Sequence, residues 1–127
     1  MRFFIDSSAW IEYLEGSCAG EKVHQILSEN NEVCSISIII SEVVSRAKRK
    51  DQNIDIPFRA ITSNSKIFEI TPEIAKEAGV LHADMKKKIV DFGLIDALIW
   101  IVAKKLNAKL VTLDNHFKNY KEVLLLK

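Results

Sequence analysis

Gly93 to Phe117 reads GLIDALIWIVAKKLNAKLVTLDNHF, and this stretch decides the fold. Leu94 to Leu106 is apolar on almost every side, broken only by Asp96 near its start and by Lys104 and Lys105 near its end. A helix that is apolar all round is one buried in a core. The two lysines complement the negative end of its dipole, and Asn107 suits the left-handed position just past a helix C-terminus. KLVTL then reads as a short buried strand that ends at Asp114. From Asp96 to Leu106 the helix rises about 15 Å, and from Lys109 to Asp114 the strand runs back about 16 Å. The two legs cancel. Asp96 and Asp114, eighteen positions apart, are therefore expected at the same edge of the molecule.

Asp96 has no local partner, because Phe92, Gly93, Ile99 and Trp100 stand at the positions three and four residues away. Alone, it reads as a helix N-terminal acid that satisfies backbone amides and the dipole. Paired with Asp114 at one edge, it reads as part of a site.

Outward from this segment, strands and helices alternate. Arg2 to Ile5 reads as a buried strand that meets Asp6 at once, and Ser7 or Ser8 is expected to cap a helix through Trp10, Ile11 and Leu14. Gly16 to Gly20 reads as a loop, Glu21 to Asn30 as a helix and Val33 to Ile36 as a second strand. Ser37 is expected to cap a helix running to about Lys50, with Glu42 one turn in and Arg46 placed to pair with it at i+4. Asp51 to Ile56 reads as a polar linker, Pro57 to Asn64 as a short helix and Lys66 to Ile70 as a third strand. Thr71-Pro72-Glu73 starts a helix to about Lys88. Val123 to Leu126 reads as a last strand.

That alternation predicts one α/β domain over residues 1–127, with a largely parallel sheet. In such sheets, sites form outside the carboxyl ends of the strands. Asp6 and Asp114 end strands, while Asp96 and Glu42 lie near the starts of helices at that edge, so four carboxylates are expected to converge. Crowded acids repel and need cations or raised pKa values. Oxygen donors without organised His or Cys suit Mg²⁺ or Mn²⁺, ions that activate water and steady an in-line phosphoryl displacement. With 17 acids in the chain, two or three could also meet at one edge by chance, and the pattern alone leaves both readings open.

Composition sets bounds. At 127 residues, 48% hydrophobic and 28% charged, the chain can bury a real core. A net charge of +1 excludes a global field for polyanions and leaves local clusters, Arg46 to Lys50 and Lys86 to Lys88, as candidates for phosphate contact. Charge runs of this kind are usually solvated faces. Cys18 and Cys34 form no metal-ligand pattern with His24, His82 or His116 and read as buried reduced thiols. The start of the chain is too polar for a signal segment and no stretch approaches a membrane span, so a cytoplasmic protein is expected.

The segments FFIDSS, SEVVSR, LIDALIWIVAKK and LVTLDNHF, in this order along essentially the whole chain, resemble the PIN domain and, more narrowly, the VapC toxins of type II toxin–antitoxin pairs. The two C-terminal segments carry most of the resemblance. It implies a PIN-like three-layer fold, a five-stranded, mostly parallel sheet flanked by helices, with endoribonuclease activity. It implies that Asp6, Glu42, Asp96 and Asp114 hold one or two Mg²⁺ or Mn²⁺ ions, with Ser8 and Thr112 supporting them. It also implies an RNA substrate, an antitoxin partner covering the acidic pocket and a homodimer. One departure stands out. Many members carry a further acid two positions after the last Asp, and here that residue is His116. His116 is read as a surface residue and Asp91 as a cap in the loop before Gly93.

Three other readings compete. A housekeeping PIN nuclease for RNA processing would share the site but lack an adjacent antitoxin gene. A phospho-receiver domain would want paired acids after the first strand, and only Asp6 stands there. A non-catalytic PIN scaffold would keep an idle carboxylate cluster at an electrostatic cost.

Overall fold

The computed structural model describes residues 1–127. The elements are β1 (Arg2–Ile5), α1 (Ser7–Glu15), α2 (Cys18–Ser28), β2 (Glu32–Ile36), α3 (Ser37–Arg49), α4 (Asp55–Asn64), β3 (Lys66–Phe68), α5 (Pro72–Lys86), α6 (Leu94–Lys105), β4 (Lys109–Thr112), a 3-10 turn (Asn115–Phe117) and β5 (Val123–Leu125). The sheet is five-stranded in the order β3-β2-β1-β4-β5, and every pair is parallel. The fold is the three-layer α/β architecture expected from the sequence, a five-stranded parallel sheet flanked by helices. Strands β1 and β4 are near-continuous apolar runs, as strands covered on both faces must be. Phe4, Ile5, Leu110 and Val111 are fully buried.

The chain builds outward from β1 to β2 and β3, then returns past β1 to β4 and β5. Right-handed crossovers therefore place α1 to α4 on one face and α5 and α6 on the other. Helix pairings agree: α1 packs on α2 and α3, α3 on α4, and α5 on α6. The reversal of direction leaves a crevice between the carboxyl ends of β1 and β4. No helix is long and apolar enough to cross a membrane.

Local details depart from expectation in instructive ways. Asp6, not a serine, caps α1, and the expected cap Ser37 already lies inside α3, where Ile36 at the cap position makes no side-chain bond. The second helix starts three residues early, at Cys18, because Ser17 caps it by accepting the Gly20 N–H. Gly20 lets α2 cross α1 closely: a Cβ there would sit 2.3 Å from the Glu12 carbonyl oxygen. Arg46 reaches across to Glu15 at 2.9 Å, so the expected Glu42–Arg46 pair does not form. Cys34 is buried but Cys18 is exposed, and both thiols are free. Asn107 does take the left-handed conformation, at φ 52°. Helix α6 is not covered on every side. Ala97, Ile99, Val102 and Ala103 are buried, whereas Leu94 is 53% and Ile95 37% exposed.

Candidate metal centre

The site begins where β1 runs out. The Asp6 backbone N–H continues the ladder by donating to the Val111 carbonyl at 3.0 Å, which fixes the residue against β4. Its carboxylate is almost fully buried. Oδ1 accepts the Ser7 N–H at 2.7 Å, as a helix cap does. Oδ2 accepts the Thr112 hydroxyl at 2.8 Å and the Ser8 hydroxyl at 3.3 Å. Thr112 Oγ1 in turn accepts the Asp114 N–H at 2.9 Å, and Ser8 Oγ accepts the Leu113 N–H at 3.1 Å. Two hydroxyls thus tie the carboxyl ends of β1 and β4 together.

Asp114 caps the 3-10 turn, with Oδ1 accepting the His116 N–H at 2.8 Å. Asp96, in the first turn of α6, accepts the Gly93 N–H at 2.9 Å through Oδ2, so its helix-terminal role is real. The same oxygen lies 3.0 Å from His116 Nδ1. That imidazole nitrogen is also 3.4 Å from Asp114 Oδ1, and its other nitrogen, Nε2, is 3.2 Å from Asp91 Oδ1. One ligand atom each from Asp96, Asp114 and His116 lie within 4.8 Å of one another. His116 is therefore a member of the site, not the surface residue expected. Asp91 is its partner, and the Gly93 amide goes to Asp96. The signal in the sequence was the position itself, two residues after Asp114.

Glu42 comes from the second turn of α3. Its Oε1 is buried without a hydrogen-bond partner. Burial raises its pKa, the Asp6 charge adds to this, the Ser7 hydroxyl works against it and the Asp96 charge adds a little more. Burial likewise raises the pKa of Asp6; the Thr112 and Ser7 hydrogen bonds oppose it, and the charges of Asp114 and Asp96 reinforce it. Partial burial would lower the pKa of His116, but contacts with Asp96 and Asp91 and the charges of Asp114 and Asp96 outweigh it, and the net shift is upward. Asp96, Asp114 and His116 thus form the compact ligand group, while Asp6 and Glu42 stand outside it, near enough for the Asp96 charge to raise the pKa of each.

No lysine or arginine pairs with any of the four; the cationic side chains that form ion pairs elsewhere are Arg2, Arg46 and Lys105. Two acids held above their ordinary pKa by burial and neighbouring charge, Asp6 and Glu42, and a buried Glu42 oxygen lacking a partner are what a divalent cation would satisfy. The donor set is mainly hard oxygen, suited to Mg²⁺ or Mn²⁺, with one imidazole beside it.

Comparison with known proteins bears on the fold. A family model described as the PIN domain matches residues 3–123. No curated protein matches the chain by sequence. Among solved structures, VapBC2 from Rickettsia felis, bound to a DNA fragment from its promoter, superposes with a TM-score of 0.73 at 23% identity, covering 98% of this chain and 97% of that one. A toxin–antitoxin complex from Klebsiella pneumoniae gives 0.74 at 22% identity, over 96% and 95% of the two chains. VapC20 from Mycobacterium tuberculosis, described as a sarcin-ricin loop cleaving toxin, gives 0.78 at 13% identity, over 98% and 99%. At these identities the likeness is one of fold.

Proposed function

The chain belongs to the PIN domain family, and from that premise we propose that it is a metal-dependent endoribonuclease, the toxin of a type II toxin–antitoxin pair. What supports this reading is the acidic edge at the β1/β4 crevice, where Asp96 and Asp114 approach one another, Asp6 and Glu42 feel the Asp96 charge, and no lysine or arginine pairs with any of the four. These four acids would hold Mg²⁺ or Mn²⁺. Bound there, the ion supplies an activated water and charge stabilisation for an in-line displacement at phosphorus.

The remaining work falls to the chain's own groups. Thr112 and Ser8 fix the Asp6 carboxylate, so it would hold an ion without reorganising. The Gly93 amide holds Asp96 and the His116 amide holds Asp114. Lys87 and Lys88, exposed and three to four residues before Asp91, would be the cations that meet RNA phosphates on this side of the site. Arg46 to Lys50 lie at the far end of α3, at least about 14 Å along the helix from its start at the site edge.

An RNA substrate and an antitoxin partner follow from the same reading, as the solved neighbours include toxin–antitoxin complexes. A groove between α1, α3 and α4, walled by Ile11, Leu14, Val43, Ile56 and Pro57, offers an apolar seat for a partner segment. An arginine from that segment could pair the site acids bidentately. The exposed side chains of Val90, Leu94 and Ile95 favour a second copy as a further partner, giving a homodimer.

The test is cleavage of single-stranded and loop-containing RNA by the purified chain. Cutting with Mg²⁺ or Mn²⁺ that stops in EDTA is expected, and undiminished cutting in EDTA overturns the reading. An adjacent small gene encoding a DNA-binding protein, whose product silences the activity, would separate a toxin from a housekeeping nuclease.

A further inference from the structure

We propose that His116 ligates the divalent ion through Nδ1, giving this site one nitrogen among its oxygen donors, with Asp91 as the positioning residue behind the ring. The inference rests on the metal-dependent reading above and goes beyond it in naming a donor and a metal preference.

Three features carry it. Nδ1 faces the pocket, 3.0 Å from Asp96 Oδ2 and 3.4 Å from Asp114 Oδ1, so any ion held by those two carboxylates lies within its reach. Nε2 faces away, 3.2 Å from Asp91 Oδ1. Histidines that bind metals generally hand their second ring N–H to a carboxylate or carbonyl, which fixes the tautomer and leaves the other nitrogen's lone pair for the ion. The residue is also held in place: its backbone N–H is bound to Asp114 Oδ1 at 2.8 Å, and its ring lies against Phe92 with centroids 6.0 Å apart. His24 has no such setting, since it stacks on Tyr13 and its ring nitrogen meets Ser28.

A nitrogen donor changes what the site prefers. Mg²⁺ favours an all-oxygen shell, while imidazole suits the first-row transition metals. Compared with the same pocket carrying an acid or amide at this position, the site gains affinity for Mn²⁺ relative to Mg²⁺. The competing account is that His116 only neutralises the acids as an imidazolium and swings aside when an ion enters.

Mn²⁺ binding to the purified full chain, without RNA, separates the two by electron paramagnetic resonance. Bound Mn²⁺ should show nitrogen modulation that changes on ¹⁵N-histidine labelling. The change should persist in a His24→Gln, His82→Gln protein, where His116 is the only histidine. His116→Gln should abolish the histidine modulation and shrink the Mn²⁺/Mg²⁺ preference several-fold. Asp91→Asn should weaken Mn²⁺ binding by about 10-fold while keeping the modulation. Mn²⁺ bound without histidine coupling in the His116-only protein overturns the proposal, whether or not His116→Gln folds, and leaves the metal-dependent reading intact. Failure of the wild-type chain to bind Mn²⁺ or Mg²⁺ at all overturns both.

Discussion

The Thr112 hydroxyl donates to Asp6 Oδ2 at 2.8 Å and accepts the Asp114 N–H at 2.9 Å, so one side chain of β4 sets the carboxylates at the ends of two neighbouring strands. Thr112 is fully buried. Valine would fill the same space but leave a buried carboxylate oxygen and an amide each short of a partner. Thr112→Val is expected to lower the unfolding free energy by about 1–3 kcal/mol. It should also slow cleavage by tenfold or more, to about a hundredfold, through misplaced ligands. Urea melts and an RNA assay on one preparation check both, and Thr112→Ser should restore both.

Asp96→Asn isolates charge from shape. Relief of repulsion alone would stabilise the metal-free protein. Asp96 Oδ2, however, accepts the Gly93 N–H and faces His116 Nδ1, and an amide serves the first but pairs poorly with the second. The two effects offset, so metal-free stability should stay within about 1 kcal/mol of wild type while cleavage is lost. A fully active, clearly destabilised variant would reduce Asp96 to a helix cap.

Glu42 gives a pH test. Its pKa is held above the ordinary 4.5, first by burial and then by Asp6. A carboxyl whose pKa rises on folding binds its proton more tightly when folded. Its contribution to stability is full below about 4.5 and is lost as pH rises through the folded value. Glutamine carries no such loss. In EDTA, Glu42→Gln should melt with wild type at pH 4 and above it at pH 8. Asp6 drives the wild type in the same direction. A Glu42→Gln advantage that shrinks with rising pH would contradict the clustering.

The lysine rim predicts a salt effect. Lys86 is engaged with the Val90 carbonyl at 2.8 Å, which leaves Lys87 and Lys88 free for phosphates. Replacing both by alanine, in a cleavage-inactive background, should weaken RNA binding and reduce its logarithmic salt slope by about 1.4. Replacing Arg49 and Lys50, at the far end of α3, should leave that slope unchanged. Equal effects from the two pairs would remove the proposed path.

Gly20→Ala probes the scaffold. The added Cβ would meet Glu12 O at 2.3 Å and Tyr13 Cα at 2.8 Å, both backbone atoms. Helices α1 and α2 would have to part, and a loss of about 1–3 kcal/mol or more is expected by denaturant melt. Gly79, with nothing near its missing Cβ, should tolerate alanine or gain slightly from its helix propensity.

The alternation of apolar runs with helical periods made the sheet legible, and the strand-edge rule expected Asp96 and Asp114 at one edge, where the structure has them within reach of one another. The same rule put Glu42 near that edge, although its spacing to Arg46 also argued for a surface pair. Arg46 goes instead to Glu15, because the packing of α3 on α1 offers a partner that a local count along the helix cannot see. His116 was missed for the same reason: its contact with Asp96 spans 20 positions, and no periodicity registers it. The composition of α6 showed that it was apolar all round but not which side the fold would leave open, and Leu94 and Ile95 face solvent.

The left-handed turn at Asn107 makes the stretch from Asp96 to Asp114 a molecular ruler. One residue inserted in α6 would turn Asp96 by about 100° about the helix axis. One inserted in β4 would send Thr112 to the opposite face of the sheet. Either change breaks the site while leaving the core composition untouched. No such constraint binds the segment between α3 and α4, which includes Asp51 at φ 54° and contributes none of the site acids. Length variation among relatives should therefore collect there and avoid the helix–strand ruler, and a library of single-codon insertions scored for cleavage would map that boundary directly.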